Sequence, residues 1–322
     1  MTGTVLILGA NGRFGRAATH AFAQGSWDVR AATRNGQGAS DTRITRIACD
    51  VMDRQAVIAA ASGVDVIVHA VNPPYPDWSR VMPVHTANII AAGLASGATV
   101  MIPANVYTFG ANAEEILEET AIPAPTTRKG ALRVTMERAF EAATAQGLQT
   151  ILLRGGDYLE RTKTGNWFDS QIANKANKGV FTYPGAMNAV HAWAYLPDMA
   201  RAMAELATVR AKLPAFAPFG FAGYSLTGAQ LRDAVAQAVG HPMKTRRFPW
   251  TVLRVISPFN PLIREVLEMR YLWDTPHRID GSALRAALPD FTETPLAVAM
   301  AEMMAQDTRV ATLPHRITPR SA

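Results

Sequence analysis

An apolar stretch that ends in closely spaced glycines opens the sequence and limits the fold more than any other feature. Residues 4–9 read TVLILG, residues 9–15 read GANGRFG, and the helix-like run RAATHAFAQG follows. This order predicts a buried strand, a tight turn and a helix. Glycine lets the backbone approach a phosphate, and a helix N-terminus presents free N–H groups and a positive dipole. The motif therefore predicts a cradle for a dinucleotide pyrophosphate.

Short apolar segments recur through the first half of the chain. They read WDVRAATRN, RITRIACD, GVDVIVHAVN, GATVMIPANV and LQTILLRGG, and helix-like stretches such as DRQAVIAAAS and TANIIAAGLAS separate most of them. Alternating strands and helices with continuously apolar strands predict an α/β fold, a parallel sheet covered on both faces. After about residue 155 the rhythm becomes irregular and rich in aromatic residues, Gly and Pro. We expect residues 1–155 to bind the dinucleotide and residues 156–322 to complete the sheet and form a smaller substrate lobe.

Composition excludes several classes of protein. The formal charge is +6, but the 32 basic residues are spread along the chain, which argues against a nucleic-acid-binding protein. Cys49 is the single cysteine, no basic leader precedes the first apolar run, and no apolar run approaches the ~18 residues that span a bilayer. There is no zinc spacing and no GxSxG elbow. We expect a cytoplasmic monomer or homodimer with a small-molecule substrate and no metal, nucleic acid or membrane partner.

The end of the second strand predicts which dinucleotide is bound. A site for NAD places an acid there to hold the ribose hydroxyls, whereas this sequence has Arg34. A guanidinium can grip a 2′-phosphate through paired hydrogen bonds, and Arg13 in the glycine turn is expected to reach the same group. Both arginines also fit plain surface positions. The pattern favours NADP(H) over NAD(H).

Other cofactor contacts are expected at the strand ends. Asp50 and Val51 end the third strand, where an adenine would lie, and HAVN ends the fourth, although simple strand packing also accounts for these residues. The full set of predicted cofactor-binding residues is Gly9, Asn11, Gly12, Arg13, Phe14, Gly15, Arg34, Asp50, Val51, Ala70, Val71 and Asn72.

The order GANGRFG, ACDVMD, HAVN, ANVYTFG, RKGALRVTME, LRGGDYL and AWAYLPDMARAMAEL resembles an extended or atypical short-chain dehydrogenase/reductase. The later segment YSLTGAQLRDAVAQAVG resembles the substrate lobe of the epimerase/dehydratase branch. The resemblance implies a doubly wound Rossmann sheet. It also implies a Ser or Thr after the fifth strand and a Tyr followed four residues later by Lys. Here Asn105, Lys129 and Arg133 take those three positions.

A second branch matches the helix better. Isoflavone reductase-like and phenylcoumaran benzylic ether reductase-like proteins carry Lys, Arg and Glu at four-residue intervals, as do Lys129, Arg133 and Glu137. The resemblance implies that Lys129 is the general acid/base beside the nicotinamide. Asn105 would donate to a developing oxyanion, and Tyr107 would orient the substrate or donate a proton. The same spacing is also typical of a solvent-exposed helix face on which charged residues pair with one another, which is the alternative interpretation. We expect Lys129 to face inward and Glu137 outward.

Substrate contacts are expected after residue 155. Asp157 and Tyr158 follow the sixth strand, and His191 and Trp193 precede the helix that Asp198 starts. The carboxyl end of a parallel sheet is the usual ligand side, although a lone histidine among aromatic residues is often a hydrogen-bonded core residue.

The segment WTVLRVISPFNPLIREVLEMRYLW, residues 250–273, is basic and apolar. Its prolines favour two short helices packed over the core, and a membrane-surface or partner helix is the alternative.

These residues favour an NADP(H)-dependent oxidoreductase that acts on a small apolar or aromatic carbonyl-like or unsaturated compound. A non-catalytic NADP(H) sensor is an alternative because the usual triad is replaced. A nucleotide-sugar epimerase or dehydratase is a second alternative that fits the C-terminal lobe.

Overall fold

The computed structural model describes residues 2–38 and 40–311. In chain order its strands are β1 (Thr4–Leu8), β2 (Asp28–Thr33), β3 (Ile44–Ala48), β4 (Val66–His69), β5 (Thr99–Ala104), β6 (Ile116–Leu117), β7 (Thr150–Arg154), β8 (Asp157–Leu159), β9 (Val180–Tyr183), β10 (Val190–Tyr195), β11 (Phe216–Gly220), β12 (Tyr224–Thr227), β13 (Lys244–Arg247) and β14 (Arg278–Ile279). Its helices are α1 (Arg13–Gln24), α2 (Arg54–Ala60), α3 (Trp78–Ser96), α4 (Arg128–Ala142), α5 (Leu196–Val209), α6 (Gly228–Val239), α7 (Trp250–Ile256), α8 (Pro261–Glu268), α9 (Ser282–Ala287) and α10 (Leu296–Ala311).

A parallel sheet of seven strands forms the centre of the molecule. The strand order is β11-β7-β5-β4-β1-β2-β3, and every neighbouring pair is parallel. The order reverses between β1 and β4, so a crevice opens at the carboxyl ends of these two strands. The predicted α/β fold with a doubly wound Rossmann sheet is confirmed.

Helices cover both faces of this sheet. On one face α1 and α5 bury Phe22 and Met203 against alternate residues of β1 and β4. On the other face α3 and α4 bury Ile89 and Phe140 against the remaining residues of the same strands. Central strands are therefore buried on both sides, which is why TVLIL is continuously apolar.

The second half of the chain adds β11 to the sheet and builds a smaller lobe around a third, aromatic-rich core. In this lobe β10 pairs with β8 in parallel and with β12 antiparallel. Thr227 begins α6 through a capping box with Gln230, as a threonine before a helical run predicts. The domain boundary at residue 155 stays a prediction. No helix in the described ranges is long and apolar enough to cross a membrane.

Candidate functional site

Two glycines of the turn between β1 and α1, Gly9 and Gly15, are packed too closely to admit a side chain. Gly9 has a φ of +81°, and a Cβ there would lie 3.0 Å from the backbone of Ala70. A Cβ on Gly15 would collide with the carbonyl oxygen of Gly9. The glycines thus let the start of α1 approach the ends of β1 and β4 closely.

The start of α1 is suited to an anion. Gly12 precedes the helix without a side-chain cap, and the first turn contains no carboxylate. The side chain of Phe14 is buried in the core, so this residue offers only its backbone N–H to a ligand. Uncapped N–H groups and the helix dipole fit the pyrophosphate of a dinucleotide.

Polar side chains gather beside the end of β2. The amide of Asn11 donates to the carbonyl of Gln37 at 3.3 Å, and Arg46 of β3 donates to the Asn11 side-chain oxygen at 3.4 Å. Arg34 lies exposed directly after β2. Sequence reasoning missed Arg46, because a single arginine within a strand gives no local signal of what lies beside it.

Arg13 points away from this loop. Its Nη2 donates to the carbonyl of Thr164 at 3.3 Å, and its Nε lies 3.7 Å from the carboxylate of Glu160. Burial raises the pKa of Glu160, and hydrogen bonds from Asn166 and Thr164 oppose the rise. The expected reach of Arg13 toward the end of β2 is therefore corrected: its guanidinium joins α1 to the C-terminal half of the chain.

Asp50 and Val51, the residues predicted to lie beside the adenine, come just after the end of β3. Asp50 is exposed and accepts a hydrogen bond from the Met52 amide at 3.0 Å, while Val51 is buried and its carbonyl accepts from Asn88 at 2.8 Å. At the next strand end Ala70 is buried and Val71 half-buried.

The charged face of α4 is buried along its whole length. Lys129 is 1% exposed, Arg133 9% and Glu137 8%. The expectation that Glu137 faces outward is therefore corrected. Burial requires a partner for each charge, and each of the three takes a different one outside the helix.

Lys129 lies between two carboxylates of α8. Its Nζ donates to Glu265, and to Glu268 at 2.5 Å, while its backbone N–H also donates to Glu268 at 3.0 Å. Burial raises the pKa of Glu265, but hydrogen bonds from Lys129 and Arg128 outweigh it and hold that pKa below the usual value. The two carboxylates stabilise a charged ammonium, and these contacts favour a structural role for Lys129.

Arg133 faces the crevice. Its Nη2 donates to the side-chain oxygen of Asn72 at 3.1 Å, and its guanidinium lies 4.4 Å from the ring centre of Trp78. Burial lowers its pKa. Its Nε is buried and has no hydrogen-bond partner among the described residues. Arg133 therefore retains one buried donor in the region where the strand ends meet.

Glu137 forms a buried pair with Arg154 at the end of β7, with a closest distance of 2.7 Å. Arg154 also donates to the carbonyl of Asn105. The side-chain oxygen of Asn105 accepts from the backbone of Tyr107 at 3.1 Å and so caps the 3-10 turn Val106–Phe109. This network fixes the backbone after β5.

Tyr107 forms a hydrogen bond of 2.8 Å with the hydroxyl of Tyr75, a residue that sequence reasoning missed. Burial raises the pKa of Tyr75 and raises that of Tyr107 well above its usual value. The negative charge of Asp157 adds to both shifts. Both tyrosines are therefore neutral donors at physiological pH.

A hydrogen bond of 2.7 Å joins the carboxylate of Asp157 to Nε2 of His191. The histidine side chain is 4% exposed and that of Asp157 is 26% exposed, so the carboxylate is the more solvent-accessible member of the pair. Trp273 stacks on the His191 ring at 4.4 Å, and the ring of His277 meets it at 4.5 Å. The pair is thereby held rigidly.

The two remaining predicted substrate residues differ in exposure. Tyr158 is half-buried next to Asp157, and burial raises its pKa to about 12. Trp193 is fully buried in the third core, at 4.9 Å from the His191 ring, and supports the histidine from behind.

The partners of these residues were the main omission of the sequence reasoning. Glu265, Glu268, Trp273 and His277 lie in the irregular second half, and no spacing pattern links them to α4 or β10.

A cavity of about 630 Å³ opens elsewhere, beside residues 109–124, and none of the candidate residues lines it. Within the described ranges no three His, Cys, Asp or Glu side chains are placed to hold a metal ion.

Comparisons with known proteins agree with this architecture. The family model of the NAD dependent epimerase/dehydratase family matches residues 5–215. A comparison with curated protein sequences finds no match.

Solved structures share the fold over nearly the whole chain. MoeE5 in complex with UDP-glucose and NAD superposes with a TM-score of 0.76 at 18% identity, covering 96% of this chain and 100% of the other. The UDP-N-acetylglucosamine 4-epimerase from Bacillus cereus gives 0.74 at 15% identity, covering 94% and 99%. The UDP-glucose 4-epimerase from Thermotoga maritima gives 0.75 at 13% identity, covering 96% and 99%. At these identities the likeness establishes the fold.

Proposed function

The chain belongs to the NAD dependent epimerase/dehydratase family, and on this premise we propose that it is an enzyme that uses NADP(H) to oxidise or reduce a small molecule at a hydroxyl or carbonyl carbon. One arrangement carries the proposal. The glycine turn follows β1 and Asp157 follows β7, so both come after carboxyl ends of strands in the parallel sheet, and Asp157 contacts His191 of β10. A phosphate cradle and an acid–base pair then face one crevice.

The residues around the crevice have complementary roles toward the dinucleotide. The glycine turn and the uncapped start of α1 would hold the pyrophosphate, and Asp50 and Val51 would lie beside the adenine. Arg133 would offer its buried Nε to a ribose hydroxyl, next to Asn72. Nicotinamide, when bound, supplies hydride chemistry.

A preference for NADP(H) rests on the end of β2. Arg34 is exposed there, and Arg46 is held close by through Asn11. Two guanidinium groups in this place favour a ligand with an extra phosphate, because carboxylates that would hold ribose hydroxyls do not follow β2.

Proton transfer in this proposal belongs to Asp157, with His191 as its positioning residue. Asp157 would accept the proton of a substrate hydroxyl, and His191 would stabilise the carboxylate through their 2.7 Å contact. Tyr107 is a neutral hydroxyl linked to Tyr75 and would orient the substrate oxygen. Asn105 would help to position Tyr107 through the turn that it caps. Lys129 remains the alternative proton carrier.

Nucleotide sugars are the first substrate class to test. MoeE5 has been solved with UDP-glucose and with UDP-glucuronic acid, and its likeness to this chain extends through the C-terminal lobe. A small aromatic carbonyl or unsaturated compound is the second candidate, because the hydrogen-bonded tyrosines Tyr75 and Tyr107 are only half-buried and offer aromatic surface.

Cofactor binding is tested by titration calorimetry with NADPH and NADH. We expect tighter binding of NADPH, and Arg34→Ala should reduce the preference by about tenfold through loss of a charge-assisted contact. Arg54→Ala, at an exposed arginine at the start of α2, is the matched control. Equal affinity of the wild type for both dinucleotides would overturn the NADP(H) assignment.

Turnover is tested with panels of nucleotide sugars and of ketones, quinones and enones. Asp157→Asn should lower kcat by about a hundredfold or more while NADPH affinity is retained, whereas the exposed Asp290→Asn should behave as wild type. Full activity in Asp157→Asn would refute its role. Tight NADPH binding without turnover of any compound would favour the non-catalytic sensor instead.

A further inference from the structure

One stretch of the small lobe carries several basic residues and no acidic residue. Residues 234–264 contain no Asp or Glu and five cations, against a net charge of +6 for the whole chain. These cations are Lys244, Arg246, Arg247, Arg254 and Arg264, and all are exposed. None of the five pairs with a carboxylate in the described part of the chain. The stretch therefore presents uncompensated positive charge to solvent.

Exposed apolar side chains occupy the same stretch. Val252, Val255 and Ile256 share one face of α7, because they are three and four residues apart. Their exposed fractions are 55%, 70% and 42%, and the stripe continues through Phe259 at 88% and Leu262 at 52%. Elsewhere in the described residues the exposed large apolar side chains are Met52, Ile116, Ile122 and Val298. An apolar stripe on the solvent side of a helix is the reverse of normal packing.

We infer that the hairpin of α7 and α8 binds the surface of an anionic lipid bilayer. An amphipathic helix with arginines beside an apolar stripe lies in the membrane interface, where its apolar side chains enter the acyl boundary and its cations meet lipid phosphates. A second copy of the chain is a poorer occupant, since a symmetric contact would bring five cations against five. This inference replaces the expectation that the chain has no membrane partner, and it does not depend on the proposed function.

The inner side of the same hairpin touches the candidate site. Glu265 and Glu268 of α8 hold Lys129, and Arg128 also pairs with Glu265. Only Trp250 of α7 is buried, with its indole N–H donating to the carbonyl of Pro184 at 2.6 Å. The hairpin is thus anchored on one side and exposes its apolar stripe on the other. A bilayer on the stripe would lie on the opposite side of the hairpin from Lys129.

Co-sedimentation of the full chain with vesicles tests the inference. We expect binding to mixed phosphatidylglycerol and phosphatidylcholine vesicles, little binding to phosphatidylcholine alone, and weaker binding at high salt. Phe259→Ser and Val255→Ser should each reduce binding by about tenfold through loss of inserted apolar area. Arg254→Gln with Arg264→Gln should reduce it by about thirtyfold.

Control variants distinguish binding through the hairpin from nonspecific adsorption to vesicles. Ile122→Ser removes an apolar side chain that is 86% exposed on another part of the surface, and Arg54→Gln with Arg138→Gln removes two exposed arginines outside the hairpin. Both controls should bind vesicles nearly as wild type. No preference for anionic vesicles, or equal losses in hairpin and control variants, would overturn the inference. So would self-association in sedimentation velocity that Phe259→Ser abolishes while vesicle binding is absent.

Discussion

Lys129 is a buried ammonium whose partners lie far along the chain. Glu265 and Glu268 follow it by 136 and 139 residues. The spacing of Lys129, Arg133 and Glu137 indicated that the three charges share one face of the helix, but it also suggested pairing within the helix. A local pattern cannot reveal partners that only tertiary folding brings near, and burial makes such partners necessary for every charge.

Replacing Lys129 by Met should lower the free energy of unfolding by about 3 kcal/mol, since it leaves two carboxylates against a buried apolar side chain. Urea unfolding followed by tryptophan fluorescence measures the loss. Lys212→Met changes an exposed lysine and should alter stability by less than about 0.5 kcal/mol. Wild-type stability of Lys129→Met would mean that the ion pairs contribute nothing. If that variant is folded and binds NADPH but lacks all turnover, Lys129 is the proton carrier.

At the scale of elements, the first strand, turn and helix could be predicted from sequence because their constraints are local. A glycine at the end of a strand and a second at the helix start determine the backbone path within a few residues. The hairpin of α7 and α8 was only half predictable. Pro258 and Pro261 indicate two short helices, but amphipathic spacing does not say which face is covered.

Gly12→Ala is expected to weaken NADPH binding by at least about tenfold, because a Cβ would stand on the exposed surface that the pyrophosphate approaches. The added atom would lie 3.1 Å from the Gly9 carbonyl oxygen, and the φ of −69° suits alanine, so unfolding should change by only about 1 kcal/mol. Calorimetry measures the change in NADPH affinity, and urea unfolding measures the change in the free energy of unfolding.

Gly25→Ala at the other end of α1 is the matched control, with a φ of −74° and ordinary contacts of 3.4 Å or more. It should leave NADPH binding unchanged. Equal binding by Gly12→Ala and wild type would mean that the turn does not hold a phosphate.

At the scale of the whole molecule, the parallel sheet was predictable and the lobe was not. Buried parallel strands are continuously apolar, and helices separate most of them along the chain, so the first half has a regular rhythm. The strands of the lobe are short and pair across long separations: β10 contacts β8 and β12, and Trp273 stacks on His191. Asp157 and His191 could be named as separate candidates, but their contact could not.

The buried histidines predict how the stability of the whole chain depends on pH. Burial lowers the pKa of His69 to about 3 and, with a contribution from the charge of His191, that of His277 to about 4. An unfolded histidine has a pKa near 6.5, so between that value and the folded values the unfolded chain binds more protons. The stabilising contribution of each histidine is therefore complete above about pH 6.5 and is lost as the pH falls.

Each histidine should lower the free energy of unfolding by up to about 1.4 kcal/mol per pH unit between pH 6 and pH 4. Buried carboxyls with raised pKa values, such as Glu160, act in the opposite direction, so the comparison of variants is decisive. Urea unfolding at several pH values should give a shallower slope for His277→Gln than for wild type. His20→Gln, at an exposed histidine of α1, should keep the wild-type slope. An unchanged slope in His277→Gln would show that His277 gains no extra proton on unfolding in this range.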